Sequence, residues 1–145
     1  PRTLRGRTVA YHTTKYLAET RPIRGSFARV AAIGDVFVEM LEDPDLCGGM
    51  GHVIEVWATE GRSYLEEIIK AADRHHAGIV KVRAAYLMET LFSLKDSRVD
   101  GWQKYAQRGS SRKLDPTKPY LPTFSEKWML SVNVRSEFLP ASPRP

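Results

Sequence analysis

"GIVKVRAAYLMETLFSL", residues 78–94, is apolar at nearly every position around a helical wheel, interrupted only by Lys81, Arg83, Glu89 and Thr90. A helix that is apolar all round must be covered on all sides, so this segment is the expected spine of the core. Lys81 and Glu89 stand eight residues apart, near one line two turns apart with Ala85 between them, and a structural ion pair is the expected arrangement. Arg83 lies elsewhere on the circumference and needs an acidic or carbonyl partner if it is buried.

Towards the N-terminus, residues 62–76 carry a stripe of Tyr64, Leu65, Ile68, Ile69 and Ala72 opposite Glu66, Glu67, Lys70 and Arg74, which predicts a two-faced helix. Ile33, Val36, Phe37, Met40 and Leu41 follow the same spacing and predict another, ending before Pro44, with Asp35 and Glu39 pointing outward. "CGGMG", 47–51, holds three glycines in five residues and reads as a turn before "HVIEVWATE". It lacks the spacing of a dinucleotide or P-loop signature and has no strand leading into it, so the turn outweighs a phosphate site. "TVAYHTT" (8–14) and "SFARVAA" (26–32) are short strand candidates.

Towards the C-terminus, a last helix is expected at about 97–107 with Val99, Trp102, Tyr105 and Ala106, followed by a basic loop carrying Arg108, Arg112, Lys113 and Lys118. "LDPTKPYLPTFSEKWMLSVNV", 114–134, begins with Pro116, Pro119 and Pro122, which predict a stiff, non-helical arm over Lys113 to Thr123. It then alternates. Trp128, Leu130, Val132 and Val134 would share one face of a half-buried strand and Met129, Ser131 and Asn133 the other. "SEFLPASPRP" reads as a frayed tail. The predicted fold class is α+β: about five helices around Ile79 to Leu94, with a small, mainly antiparallel sheet formed by strands from both chain ends. The expected organisation is one domain over 1–135 and a Pro/Ser-rich tail over 136–145.

At 145 residues and 42% hydrophobic content, the chain suits a single core. No apolar run approaches the ~20 residues needed to span a bilayer, and the opening lacks a secretory leader, so no membrane association is expected. Cys47 has no partner for an internal disulfide, which with no leader implies a reducing, cytoplasmic setting. The net charge of +5 is uneven: residues 1–29 carry +6, 30–99 carry −5 and 100–145 carry +4. Two basic ends that met in space would form a positive face for phosphate.

Catalysis needs convergent groups, and none are nominated. His75 and His76 are vicinal, but adjacent side chains on a helix point about 100° apart and a metal wants three or four ligands, so no metal site is expected. His12 and His52 are isolated, Cys47 has no base nearby in sequence, and "GSS" at 109–111 lacks the strand-to-helix elbow of a hydrolase serine. Glu67 and Lys70 are of a kind common on any helix. The expectation is a non-enzyme without cofactor.

Three stretches, in order, resemble the C-terminal domain of the AbiEi antitoxins of bacterial type IV toxin-antitoxin, abortive-infection systems. They are "DVFVEMLEDPDLCGG" (35–49), "VKVRAAYLMETL" (80–91), and "LDPTKP" followed by "EKWMLSVNV" (114–119 and 126–134). Arg83, Tyr86, Leu87 and Glu89 occupy the family's middle motif, with Ala85 where glycine is common. Leu114, Asp115 and Pro116 occupy its loop, and Trp128, Leu130, Val132 and Asn133 its strand. The resemblance covers roughly residues 30–134. It implies an antitoxin that counteracts a nucleotidyltransferase-like toxin without an obligatory stable complex. Full-length members carry an N-terminal winged helix-turn-helix that represses their own operon. Nothing before residue 30 looks like that module, and "PRTLRGRTVAYHTT" instead resembles the start of the antitoxin domain, so either the front is absent or the domain stands alone. The resemblance gives Arg83, Tyr86, Glu89, Asp115, Pro116, Trp128 and Asn133 structural roles, with Asn133 expected to satisfy backbone groups. The competing expectation is a nucleic-acid-binding domain of a transcriptional regulator, using Arg108, Arg112, Lys113 and Lys118 as its contact surface.

Overall fold

The structure, a computed structural model, describes residues 2–4, 7–9, 20–22 and 29–140, with side chains from residue 32 onward. Strands β1 (Arg2–Leu4) and β2 (Arg7–Val9) pair antiparallel, as do β3 (Thr20–Pro22) and β4 (Arg29–Ala31). The rest of the two N-terminal strand candidates lies outside the described residues.

Helix α1 (Ile33–Glu42) buries Phe37 and Leu41 of the predicted stripe and also Val38 outside it, while Ile33, Val36 and Met40 of the stripe are half-buried. Pro44 opens a 3-10 turn (Pro44–Cys47), and Gly48 and Gly49 follow at φ 87° and 93°, values that glycine adopts without a Cβ penalty. The Gly49 N–H donates to the Pro44 carbonyl at 2.8 Å, which closes the turn and starts α2 (Met50–Glu60). Trp57 of α2 is fully buried, donates its indole N–H to the Phe37 carbonyl at 3.2 Å, and meets the Phe37 ring edge-on at 5.7 Å.

Helix α3 (Leu65–Arg74) buries Ile68, Ile69, Ala71 and Ala72 against α1. The approach is close: a Cβ on Gly34 would lie 2.2 Å from the Glu67 carbonyl oxygen. Asp35 does not point outward as predicted. It is buried, and accepts a 2.6 Å hydrogen bond from the Arg74 guanidinium, because α3 covers that side of α1.

Helix α4 (Gly78–Phe92) is the spine, with ten buried residues that include Lys81 and Arg83. The expected Lys81–Glu89 ion pair is not formed. Eight residues of helix separate the two by ~12 Å, and each finds another partner: Lys81 donates to the Asp73 carbonyl, and Glu89 pairs with Lys127.

Among the described residues there are four helices of ten or more residues rather than about five. The fifth shortens to one turn, α5 (Ser97–Asp100), capped by the Asp96 side chain, and tightens into a 3-10 segment over Gly101–Tyr105. The sheet also differs from expectation. Among the described residues the two chain ends do not share one; β5 (Phe124–Ser125) and β6 (Leu130–Ser131), both near the C-terminus, pair antiparallel with each other. The 128–134 alternation is not a half-buried strand, because Met129 turns into the left-handed region at φ 51° and Ser131 and Asn133 are as buried as Trp128, Leu130 and Val132. The predicted tail is also partly anchored. Residues Ser136–Phe138 form a 3-10 turn whose Phe138 packs over Gly51, where a Cβ would lie 2.6 Å from the ring.

Candidate functional site

The segment after the basic loop is tied to α4 and to itself by buried polar bonds. Arg83 reaches from α4 to two carbonyls, donating Nε–H to Lys113 at 2.8 Å and a terminal N–H to Leu41 at 3.1 Å. Burial, with Arg112 nearby, pushes the Arg83 guanidinium down to about 10, still charged at neutral pH. Backbone bonds then lace the segment: Leu114 N–H to the Ser131 carbonyl and Ser131 N–H to the Arg112 carbonyl, both at 2.9 Å.

Asn133 works as a side-chain substitute for a strand. Its oxygen accepts the Asp115 N–H at 2.8 Å, and its amide donates to the carbonyls of Asp115, Lys118 and Pro119 at 2.8, 3.2 and 3.1 Å. The Asp115 carboxylate accepts from the Thr117 N–H at 2.9 Å and the Thr117 hydroxyl at 2.6 Å, fixing the turn at the half-buried Pro116. The Ser131 hydroxyl both accepts from and donates to the backbone of Leu121, at 2.9 and 2.7 Å.

Trp128 closes the unit on α4, donating its indole N–H to Glu89 Oε1 at 3.0 Å, while Lys127 meets Glu89 Oε2 at 2.6 Å and Asp100 at 3.0 Å. Arg83, Glu89, Asp115, Trp128 and Asn133 therefore belong to one continuous assembly. Tyr86 stands beside it, half-buried and hydrogen-bonded to Thr90, its phenol pushed up by burial.

The four basic residues of the following surface separate into two pairs. Arg108 and Lys118 are exposed, whereas Arg112 and Lys113 are half-buried. The Arg112 guanidinium donates to the Tyr105 carbonyl, burial pushes its pKa down, and among the described residues its Nε is buried without a hydrogen-bond partner. Lys113 is held by its backbone, bridging to Ser131 and accepting from Arg83.

A cavity of about 440 Å³ opens beside Arg108, lined also by Gly109, Ser110, Tyr120 and Phe124. Tyr120 and Leu121 are 45% and 44% exposed. Charge alone did not mark these aromatics; the available signal was two aromatic residues flanking the Pro122 arm.

Cys47, His75 and His76 gain definition. Burial, then Asp43 and Glu39, push the Cys47 thiol up, the opposite of an activated nucleophile. The angular argument against His75 and His76 does not apply, because α3 ends at Arg74 and His75 is extended at φ −66°, ψ 140°. Their rings stack at 4.4 Å rather than diverge.

Comparison of the chain with protein-family models, curated proteins and solved structures returns no match.

Proposed function

We propose that this chain is the antitoxin domain of a bacterial type IV toxin-antitoxin system, counteracting a nucleotidyltransferase-like toxin in the cytoplasm. The observation that supports this reading most is the convergence of the resembling motifs. Arg83 and Glu89 from the middle motif, Asp115 from the loop, and Trp128 and Asn133 from the last are distant in sequence yet meet in one buried assembly. Chance matches to separate motifs have no reason to interlock. In this reading the assembly is structural and the chain carries no catalytic group. Its task is to hold the exposed 108–124 surface in one conformation.

Growth is the appropriate readout, since a stable complex is not required. Expression of the chain together with the toxin encoded beside it restores growth. A folded, abundant chain that leaves cells arrested overturns the proposal.

A nucleic-acid-binding domain of a transcriptional regulator is the second reading, favoured by one observation: Arg108 shares a cavity with Tyr120 and Phe124. Aromatic faces that stack bases beside cations that meet phosphate are the elements of single-strand binding. On this reading, Arg108→Ala and Lys118→Ala each reduce the salt slope of DNA affinity by about 1. Fluorescence anisotropy at several salt concentrations tests it, and absent or salt-independent affinity eliminates it.

A further inference from the structure

We infer that Glu42, His75 and His76 form a binding site for a divalent first-row transition metal of the zinc, cobalt or nickel type. One ligand atom from each lies within 4.8 Å of the other two. Glu42 is the last residue of α1, and the two histidines directly follow α3, so the cluster sits where two packed helices end together. The carbonyl-bearing ends of both helices contribute partial negative charge, which favours a cation there.

The donor set selects the metal class. Two imidazoles and one carboxylate suit zinc and its neighbours, whereas calcium and magnesium require oxygen-rich shells. Water would complete the coordination. Glu42 Oε2 already stands 3.1 Å from His75 Nε2, and the imidazoles stack at 4.4 Å, so two nitrogen-bearing rings lie side by side against one carboxylate. Tetrahedral ligation at about 2.0–2.2 Å brings donor atoms to about 3.3 Å of one another. Ligation also needs the stacked imidazoles to turn so that their in-plane lone pairs converge, and Glu42 and His76, both exposed, have room to do this.

The proton inventory is consistent with exchange for a metal. His75 Nδ1 accepts the Ala77 N–H at 3.0 Å, so in the metal-free protein the neutral ring carries its proton on Nε2 and donates it to Glu42. For a metal on Nε2 the ring's single proton shifts from Nε2 to Nδ1, and the Ala77 bond opens. A bound metal clips the end of α1 to the end of α3.

The test uses the full chain, stripped with chelator and titrated with zinc chloride by calorimetry, with cobalt absorption as a second readout. One equivalent binds, the thermal midpoint rises by mass action, and cobalt develops visible ligand-field bands. Glu42→Gln and His76→Gln, both at exposed positions, each weaken zinc binding at least tenfold, while His52→Gln leaves it unchanged. Magnesium does not compete. No saturable binding overturns the site, as does binding undiminished in the Glu42→Gln/His76→Gln double variant with unchanged circular dichroism.

Discussion

Asn133 ties the C-terminal segment together through its side-chain amide. Its amide answers one N–H and three carbonyls in a stretch where the chain is too irregular to answer them by strand pairing. Asn133→Ala leaves the buried Asp115 N–H without its acceptor and removes the bonds to three carbonyls, and the expected destabilisation is about 1–3 kcal/mol, read from the urea midpoint. That Asn133 satisfies backbone groups was expected from the sequence; which ones was not legible, since backbone atoms carry no residue signature. His75 is similar. Its burial-lowered pKa means that the unfolded chain takes up a proton first as pH falls below the ordinary value of 6.5. His75 therefore contributes stability above about pH 6.5 that is lost as pH falls through its lowered folded value. In chelator, His75→Asn, which keeps an acceptor near the Ala77 N–H, flattens the loss of unfolding midpoint between about pH 7 and pH 5.

At the scale of elements, the helices were readable because one apolar stripe per 3.6 residues needs nothing from the rest of the chain to be seen. What the stripe does not encode is how closely two helices approach. Gly34 is the residue that lets α1 meet the backbone of α3 at Glu67, and Gly34→Ala should cost about 1–3 kcal/mol by overpacking, despite alanine's better helix propensity. Thermal unfolding measures this directly. The C-terminal strand misled for a physical reason: alternation predicts a half-buried strand only when the polar face reaches water. Here Ser131 and Asn133 are buried and bonded to backbone, and the left-handed Met129 breaks the pleat. The expected burial of Trp128 survives this change, because it is 1% exposed whichever element carries it. Trp128→Ala should cost about 3–5 kcal/mol in a denaturant titration, and a much smaller loss would mean that the 127–128 clasp on Glu89 contributes little.

Across the whole molecule, the buried assembly and the exposed surface divide the work. Arg83, Asp115, Trp128 and Asn133 spend their polar groups on backbone and on the side chains of Glu89 and Thr117, leaving Arg108, Lys118, Tyr120 and Leu121 to face outward. Sequence charge marked this region as basic, but half of that charge belongs to Arg112 and Lys113, which are anchored in the fold, so charge counting overstated the available cations. Among the described residues no helix is long and apolar enough to cross a membrane. The most direct measurement is colony formation by cells that induce the neighbouring toxin with and without this chain, with soluble expression verified by immunoblot. The account predicts that the chain restores colony formation and that Asn133→Ala, by loosening the assembly, restores less. Cells that stay arrested although the unmodified chain is soluble and folded would contradict it.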